Sequence, residues 1–365
     1  MRIALLGTRG IPANYGGSET AAEEIYSRLA AWGHDVVVYC RKHKVDPSQE
    51  WYKGIRTVVL PSINTKSLDT ISHSFFSVLD VVVHNRADIV HFHGIGNAML
   101  FLILRLFGKR VVVGVDGMDW KRNKWNWLEK FYLRLSLNLA IWWSDAVYVD
   151  SLSAQRFCKD YFGREFPLIS YGAQVRSIPA STTLTKYGLE REKYILFVGR
   201  LIPEKGVHYL IRAFEETETD YRLVIVGDNP YNPEYVASLK STRDTRILFV
   251  GYVYGDGFWE LCSNCYLYVQ PSEVEGTSPV LLSAMGCGRC VVVNGIQENL
   301  DVIGDAGMAF LPNDPQDLAR TLKELLEQPD RVNAFGESAK LRIAEHFSWD
   351  NVALLTEQLY HSLAR

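Results

Sequence analysis

Two cations sit where an apolar strand hands over to a helix. In Gly199-Arg200-Leu201-Ile202-Pro203-Glu204-Lys205-Gly206 the strand ends just before Gly199, and the next helix begins near Val207. Fixed cations at the carboxyl end of a strand can neutralise a diphosphate leaving group without a metal; removing one such partner typically costs about 2.7–4 kcal/mol of transition-state stabilisation. A plain pair of surface charges is the alternative. Farther on, Pro271-Ser272-Glu273-Val274-Glu275-Gly276-Thr277-Ser278-Pro279 leads into a second helix, with Pro279 suited to its first turn and Ser278 or Thr277 to its cap. The amides around Gly276, Thr277 and Ser278 can hold phosphate oxygens there while Glu275 faces a donor sugar.

The first half of the chain carries related groups. Tyr15-Gly16-Gly17-Ser18-Glu19 precedes a helix whose Ala22, Ile25, Leu29 and Trp32 make a buried face. Gly16 and Gly17 permit close backbone approach, and the N–H groups of the helix start can receive a phosphate or a sugar hydroxyl, although Gly-Gly is also common punctuation before a helix. His91-Phe92-His93-Gly94 ends a strand, and period-2 alternation points both imidazoles the same way. Asp116 and Asp119 follow the next strand, where they can orient an acceptor hydroxyl or take its proton, or simply serve as turn residues.

Positioning these groups requires a particular scaffold. Apolar, β-rich runs at 2–7, 35–40, 55–60, 88–92, 110–115 and 146–150 alternate with helical periodicity, and runs at 194–199, 222–227, 246–250, 266–270, 290–294 and 308–311 repeat the pattern. Continuous hydrophobicity implies parallel strands covered on both faces, so the chain is expected to be α/β, with two doubly wound Rossmann-like domains. A Ser/Thr/Ala/Pro-rich stretch from Gly172 to Thr185 reads as the linker. The expected domains are 1–173, joined by a returning helix at 348–365, and 174–347. In that last helix Ser348 is the cap and Val352, Leu355, Leu359 and Leu363 form one stripe. Ligands of open parallel sheets bind beyond the strand carboxyl ends, which places a cleft between the two facing domains.

With 365 residues the chain has room for about two domains. Its formal net charge of −3 argues against a nucleic-acid coat, but the charge is uneven: residues 1–178 carry 22 Lys+Arg against 16 Asp+Glu, and the remainder 17 against 26. Six cysteines without a secretory signal read as reduced thiols in a cytoplasmic protein. Cys262-x-x-Cys265 and Cys287-x-x-Cys290 have the spacing of a zinc site, yet Cys265 and Cys290 each lead into an apolar run, which favours small hydrophobes at strand starts. The longest apolar run, Ala98 to Leu104, is far short of the roughly 20 residues that span a bilayer.

Taken together, these motifs resemble the GT-B glycosyltransferases of glycosyltransferase family 4 over nearly the whole chain. The first half, with Gly-Thr-Arg-Gly-Ile-Pro-Ala-x-Tyr-Gly-Gly and Asp116-Gly117-Met118-Asp119-Trp120-Lys121-Arg122, resembles that of bacterial rhamnosyltransferases of cell-surface polysaccharide assembly. The resemblance implies a nucleotide-diphosphate sugar donor, dTDP- or UDP-linked, and transfer with retention at the anomeric carbon, independent of metal or other cofactor. It further implies a lipid-linked glycan acceptor and a closing cleft, with His93 against the donor sugar; a core histidine bonded to backbone is the alternative. Where the family has a second glutamate to grip the ribose, eight positions after Glu275, this chain has Ser283. The absence of Asp-x-Asp disfavours the metal-dependent GT-A design. A nucleotide-sugar 2-epimerase of the same architecture and a non-catalytic nucleotide-sugar binder are the competing readings.

Basic and aromatic residues interleave from Trp120 to Arg134. Leu128, Phe131, Leu135, Leu139 and Trp142 are expected to face the core, leaving Lys121, Arg122, Lys124, Trp125 and Lys130 to an anionic membrane surface. That implies reversible, peripheral attachment at the inner face of the cytoplasmic membrane; an ordinary solvated helix with a basic flank is the alternative.

Overall fold

Each of the twelve β-rich runs becomes a strand in the computed structural model, which describes residues 1–13, 16–65, 68–115 and 127–363, while the apolar run Ala98 to Leu104 is helical. The chain divides into two compact units, Met1–Tyr171 with Trp349–Arg365, and Gly172–Ser348.

The first unit runs β1 (Arg2–Leu6), α1 (Gly17–Ala31), β2 (Asp35–Arg41), β3 (Trp51–Tyr52), β4 (Ile55–Leu60), α2 (Leu68–Val83), β5 (Ile89–His93), α3 (Phe101–Leu106), β6 (Arg110–Val115), α4 (Trp127–Trp143), β7 (Ala146–Val149) and α5 (Leu152–Phe162). Its sheet has the order β3-β4-β2-β1-β5-β6-β7 and is parallel except for β3, which pairs antiparallel with β4. Because side chains alternate along a strand, the sheet feeds two cores. Leu6, Phe92 and Val113 meet α2, α3, α4 and α5 on one face. Ile3, Leu5 and Val112 meet α1 on the other.

The second unit runs α6 (Thr182–Tyr187), β8 (Tyr194–Val198), α7 (Val207–Glu215), β9 (Arg222–Val226), α8 (Pro233–Lys240), β10 (Ile247–Gly251), α9 (Gly255–Asn264), β11 (Leu267–Gln270), α10 (Pro279–Gly286), β12 (Cys290–Asn294), α11 (Gln297–Ile303), β13 (Met308–Phe310), α12 (Pro315–Leu326) and α13 (Pro329–His346). All six of its strands are parallel, in the order β10-β9-β8-β11-β12-β13. At its entrance α6 is pinned by Glu260, whose buried carboxylate accepts the N–H groups of Ser181, Thr183 and Leu184 at 2.6, 3.2 and 3.0 Å. The chain then returns to the first unit as α14 (Trp349–Leu363), which lies beside α1 and sends Trp349, Val352 and Tyr360 into its core.

Three details differ from the sequence reading. Trp32 lies just past the end of α1 and is 43% exposed; Tyr26, with Ala21, Ala22 and Leu29, forms the buried face instead. On α14 the buried set is Trp349, Val352, Ala353, Thr356 and Tyr360, while Leu355, Leu359 and Leu363 are only partly buried at its margin. On α4, Phe131, Leu135 and Trp142 are exposed (64%, 44% and 64%), and Leu137, Ala140 and Ile141 enter the core. The cause on α4 is that apolar residues occur all round it, so Leu133, Leu137, Ala140 and Ile141 make as good a stripe as the one expected. Lys121, Arg122, Lys124 and Trp125 lie outside the described residues.

All six cysteines are free and buried. Cys265 Sγ donates to the Cys262 carbonyl at 3.3 Å, and burial pushes the Cys290 thiol up to about 12. Among the described residues, the set of side chains whose ligating atoms converge is His34, Glu357 and His361, not the cysteine pairs.

Candidate active site

In each sheet the connections reverse direction once, and a doubly wound sheet opens a crevice at that point, beyond the strand ends. In the second unit the reversal falls between the neighbouring strands β8 and β11. The loop after β8 holds Gly199, Arg200 and Lys205; the loop after β11 holds Glu273, Glu275, Gly276, Thr277 and Ser278. The two loops are clasped. Glu273 N–H donates to the Glu204 carbonyl at 2.9 Å, and Tyr209 Oη donates to Glu273 Oε1 at 2.8 Å. Gly206 has φ +66° and lies so close to the Pro271 carbonyl that any Cβ there would fall onto it.

Within this clasp Lys205 Nζ donates to Glu275 Oε1. Gln270 Nε2 donates to the same oxygen at 2.7 Å, and Gln270 Oε1 accepts from the buried Tyr268 hydroxyl at 2.6 Å. Burial holds the Tyr268 phenol well above its ordinary range, so it stays a donor. Glu275 is thus held at Oε1 by two donors, its side chain 10% exposed. Arg200, on the same loop as Lys205, is exposed.

Ser278 caps α10: its hydroxyl accepts from Leu281 N–H at 3.5 Å, and Pro279 occupies the first turn. Pro279 has no N–H, so the amide that the first turn offers to an anion is that of Val280. Thr277 and Ser278 are buried, and Gly276 is half-buried beside them. Ser283 Oγ donates back to the Pro279 carbonyl at 2.8 Å. Its one proton is therefore used within its own helix, while its oxygen can still accept a hydrogen bond.

In the first unit the reversal falls between β1 and β5, where Gly7 (φ +94°) comes so near the His93 carbonyl that a Cβ there would sit 2.6 Å from it. His93 is half-buried and, with His91, lines a pocket that also takes in Ser18, Tyr26, Asp150 and Tyr171. The two imidazoles do face the same way, but their surroundings differ. His91 is fully enclosed: Tyr26 and Tyr360 hydroxyls lie 2.6 and 2.7 Å from Nδ1, and the Tyr148 hydroxyl 3.1 Å from Nε2. A neutral ring with its proton on Nε2 donates to Tyr148, and its one Nδ1 lone pair accepts from one tyrosine, whose hydroxyl accepts from the other at 2.8 Å; burial, with His93 nearby, drives the His91 imidazole down to about 3.

Gly16 precedes α1 with φ +100°, and Gly17 is the first residue of the helix. Glu19 folds back over this turn: Oε1 accepts from Arg9 N–H at 3.2 Å, and Oε2 accepts from Ser18 Oγ at 2.9 Å. A carboxylate at this spot repels a phosphate, so the turn suits a sugar hydroxyl better. Asp116 and Asp119 lie outside the described residues.

Gln270, Tyr209 and Glu19 were not picked out as site residues from sequence. Gln270 did carry a signal: it is the one polar residue closing the apolar run Tyr266-Leu267-Tyr268-Val269.

Comparison with known proteins converges on one fold family. Residues 182–342 match the family model "Glycosyl transferases group 1", and residues 16–169 match "Glycosyl transferase 4-like domain". The chain belongs to the GT-B glycosyltransferases. The O-antigen chain mannosyltransferase B of Escherichia coli is 30% identical over 186 residues, which is 49% of either chain. The match thus spans about half the length of that relative. Among solved structures, sucrose-phosphate synthase of Thermosynechococcus elongatus superposes with a TM-score of 0.84 at 22% identity, covering 99% of this chain and 98% of that one. HepE of Anabaena, solved in complex with UDP, gives 0.81 at 20% identity over 99% of this chain and 100% of that one. At these identities the two structures establish the fold, and with it the GT-B architecture expected from the sequence.

Proposed function

We propose that this glycosyltransferase moves a sugar from a nucleotide-diphosphate donor to a lipid-linked glycan acceptor, with retention at the anomeric carbon. The observation that carries this reading is the clasped pair of loops at the β8/β11 reversal, which gathers two cations, a braced carboxylate and a capped helix start. Arg200, Lys205 and the amides around Thr277, with that of Val280 at the start of α10, stabilise the charge that develops on the departing diphosphate. Glu275 holds the donor sugar. When the donor enters, its phosphate takes Lys205 and Glu275 turns to a sugar hydroxyl, so each partner of the resting ion pair exchanges one contact for another. In a front-side reaction the departing phosphate oxygen accepts the proton of the acceptor hydroxyl as the new glycosidic bond forms; His93 and the Gly16-Gly17 turn serve the sugar, and Asp116 or Asp119 orients the acceptor.

A dTDP- or UDP-linked donor, with L-rhamnose as the sugar, and a role in surface polysaccharide synthesis at the cytoplasmic membrane complete the proposal. Support comes from the mannosyltransferase of O-antigen chains among the relatives and from the UDP bound by HepE. The engagement of Ser283 with Pro279 favours one competing reading, a nucleotide-sugar binder with a weak grip on ribose. Incubating dTDP-, UDP- and GDP-sugars with and without a polyprenyl-diphosphate-linked acceptor separates the cases. Acceptor-dependent product with the donor's anomeric configuration is expected. Acceptor-free isomerisation would indicate the epimerase, and binding with neither outcome a non-catalytic binder.

A further inference from the structure

The layer of helices α2, α3 and α4 is apolar on both of its sides. Toward the sheet α2 buries Ser77, Val78 and Val81 among others; on the opposite side it exposes Leu68, Ile71, Phe75, Phe76, Leu79 and Val83, between 39% and 73% each. The segment next to it exposes Met99, Leu102, Leu106 and Phe107. On α4 the exposed stripe is Trp127, Phe131, Leu135 and Trp142. Since α3 packs against both α2 and α4, the three stripes form one face of the first unit, on the far side of the sheet from α1 and α14. A surface helix normally turns polar residues to water, and monomers rarely expose contiguous apolar patches beyond a few hundred Å2.

Among the described side chains of α2, α3 and α4, the exposed charges are basic. Arg105 and Arg134 are exposed and Lys130 is half-exposed. The two carboxylates of α2 are turned inward, Asp69 onto Arg41 and Asp80 onto Arg86. Two copies of this face brought together would set these described cations against each other, which disfavours self-association. A lipid bilayer with anionic headgroups satisfies both features: the Phe, Leu and Trp side chains enter the headgroup–acyl boundary and the guanidinium groups meet lipid phosphate.

We infer that the α2/α3/α4 face is the membrane-docking surface of the chain, holding an anionic bilayer by apolar insertion with basic residues as auxiliary contacts. The inference deepens the lipid-linked acceptor reading, and it replaces attachment by charge alone with attachment that outlasts salt, because screening weakens exposed charge pairs and leaves apolar burial intact.

Flotation of the full chain with vesicles of phosphatidylglycerol and phosphatidylethanolamine, at 0.1 and 0.5 M NaCl as rough working values, tests it. Binding is expected at both concentrations. Phe75→Glu with Leu79→Glu, and separately Phe131→Glu with Trp142→Glu, are each expected to lower partitioning at least tenfold, whereas Tyr231→Glu, an exposed aromatic in the second unit, leaves it unchanged. Loss of wild-type binding at the higher salt, unaltered binding by both double variants, or a wild-type dimer that the variants split without any vesicle binding would each overturn the inference. Thermal shifts with UDP- and dTDP-sugars on the same proteins report donor binding independently. Vesicle binding without nucleotide binding would leave the docking face standing and remove the donor reading; nucleotide binding without vesicle binding would do the reverse.

Discussion

Lys205 and Glu275 lie 70 residues apart in the chain and meet side chain to side chain across two loops whose backbones are tied at Glu273 and Glu204. The backbone tie stands without either side chain. Replacing Lys205 or Arg200 by Ala should therefore leave the fold intact and lower turnover by about 10²–10³, the cost of losing one stabiliser of developing charge. Steady-state kinetics with EDTA present or absent is the check: near-normal turnover in either variant, or complete loss on chelation, contradicts a cationic, metal-free mechanism.

The same pair makes a less obvious prediction for nucleotide binding. While Glu275 holds Lys205, an incoming diphosphate must compete for the ammonium. Glu275→Gln keeps the shape and releases that competition, so nucleoside diphosphate should bind several-fold tighter while sugar transfer falls. Calorimetry decides: weaker binding by the variant would show that Glu275 is not holding Lys205 back.

Ser283 on α10 gives its proton to the Pro279 carbonyl and offers a ribose only a neutral, short-armed acceptor in place of a carboxylate. Ser283→Glu should tighten nucleotide binding by about tenfold, in line with a net 1.5 kcal/mol or so for a hydrogen bond to a charged group. An unchanged or larger Kd would place the ribose contact on another residue.

Two buried histidines set a pH dependence of stability. Burial drives His91 down to about 3 and His73 to about 4, with Arg41 adding to the effect at His73. In the unfolded chain both titrate near about 6.5, so as pH falls below that value the unfolded state binds protons that the folded state refuses. Their contribution is fully present above that range and is lost at roughly 1.4 kcal/mol per pH unit for each histidine down to its folded value. Urea denaturation between pH 7 and 4.5 should show this slope, and His73→Gln should remove about half of it. A variant with the wild-type slope would exclude His73 as a source.

The fold was legible because burial of parallel strands on both faces leaves an unbroken apolar signature, from Ile3-Ala4-Leu5-Leu6 to Val291-Val292-Val293. β3 was not, since two residues, Trp51 and Tyr52, are too few for any periodicity; only their pairing with β4 makes them a strand. Site residues could be named loop by loop, because glycines and charges after a strand stand out against it. Their pairing could not: Lys205 reaches Glu275 through the close approach of Gly206 to Pro271, a contact between segments far apart in sequence. The outward side of α4 failed for a different reason. Periodicity locates a boundary between polar and apolar faces, and a helix apolar on both sides offers none.

The Tyr26–His91–Tyr360 cluster ties α1 and β5 to a helix that the ribosome makes only after the whole second unit. The first unit therefore leaves the ribosome unfinished. Until Gly172–Ser348, 177 residues, has been added, Tyr26 and His91 wait without Tyr360 and the α1 side of the sheet is covered only in part. At about 5–20 residues per second that interval is roughly 10–35 s. The order of synthesis thus lets the second unit complete itself first, and the first unit becomes whole only when the last turns of α14 dock.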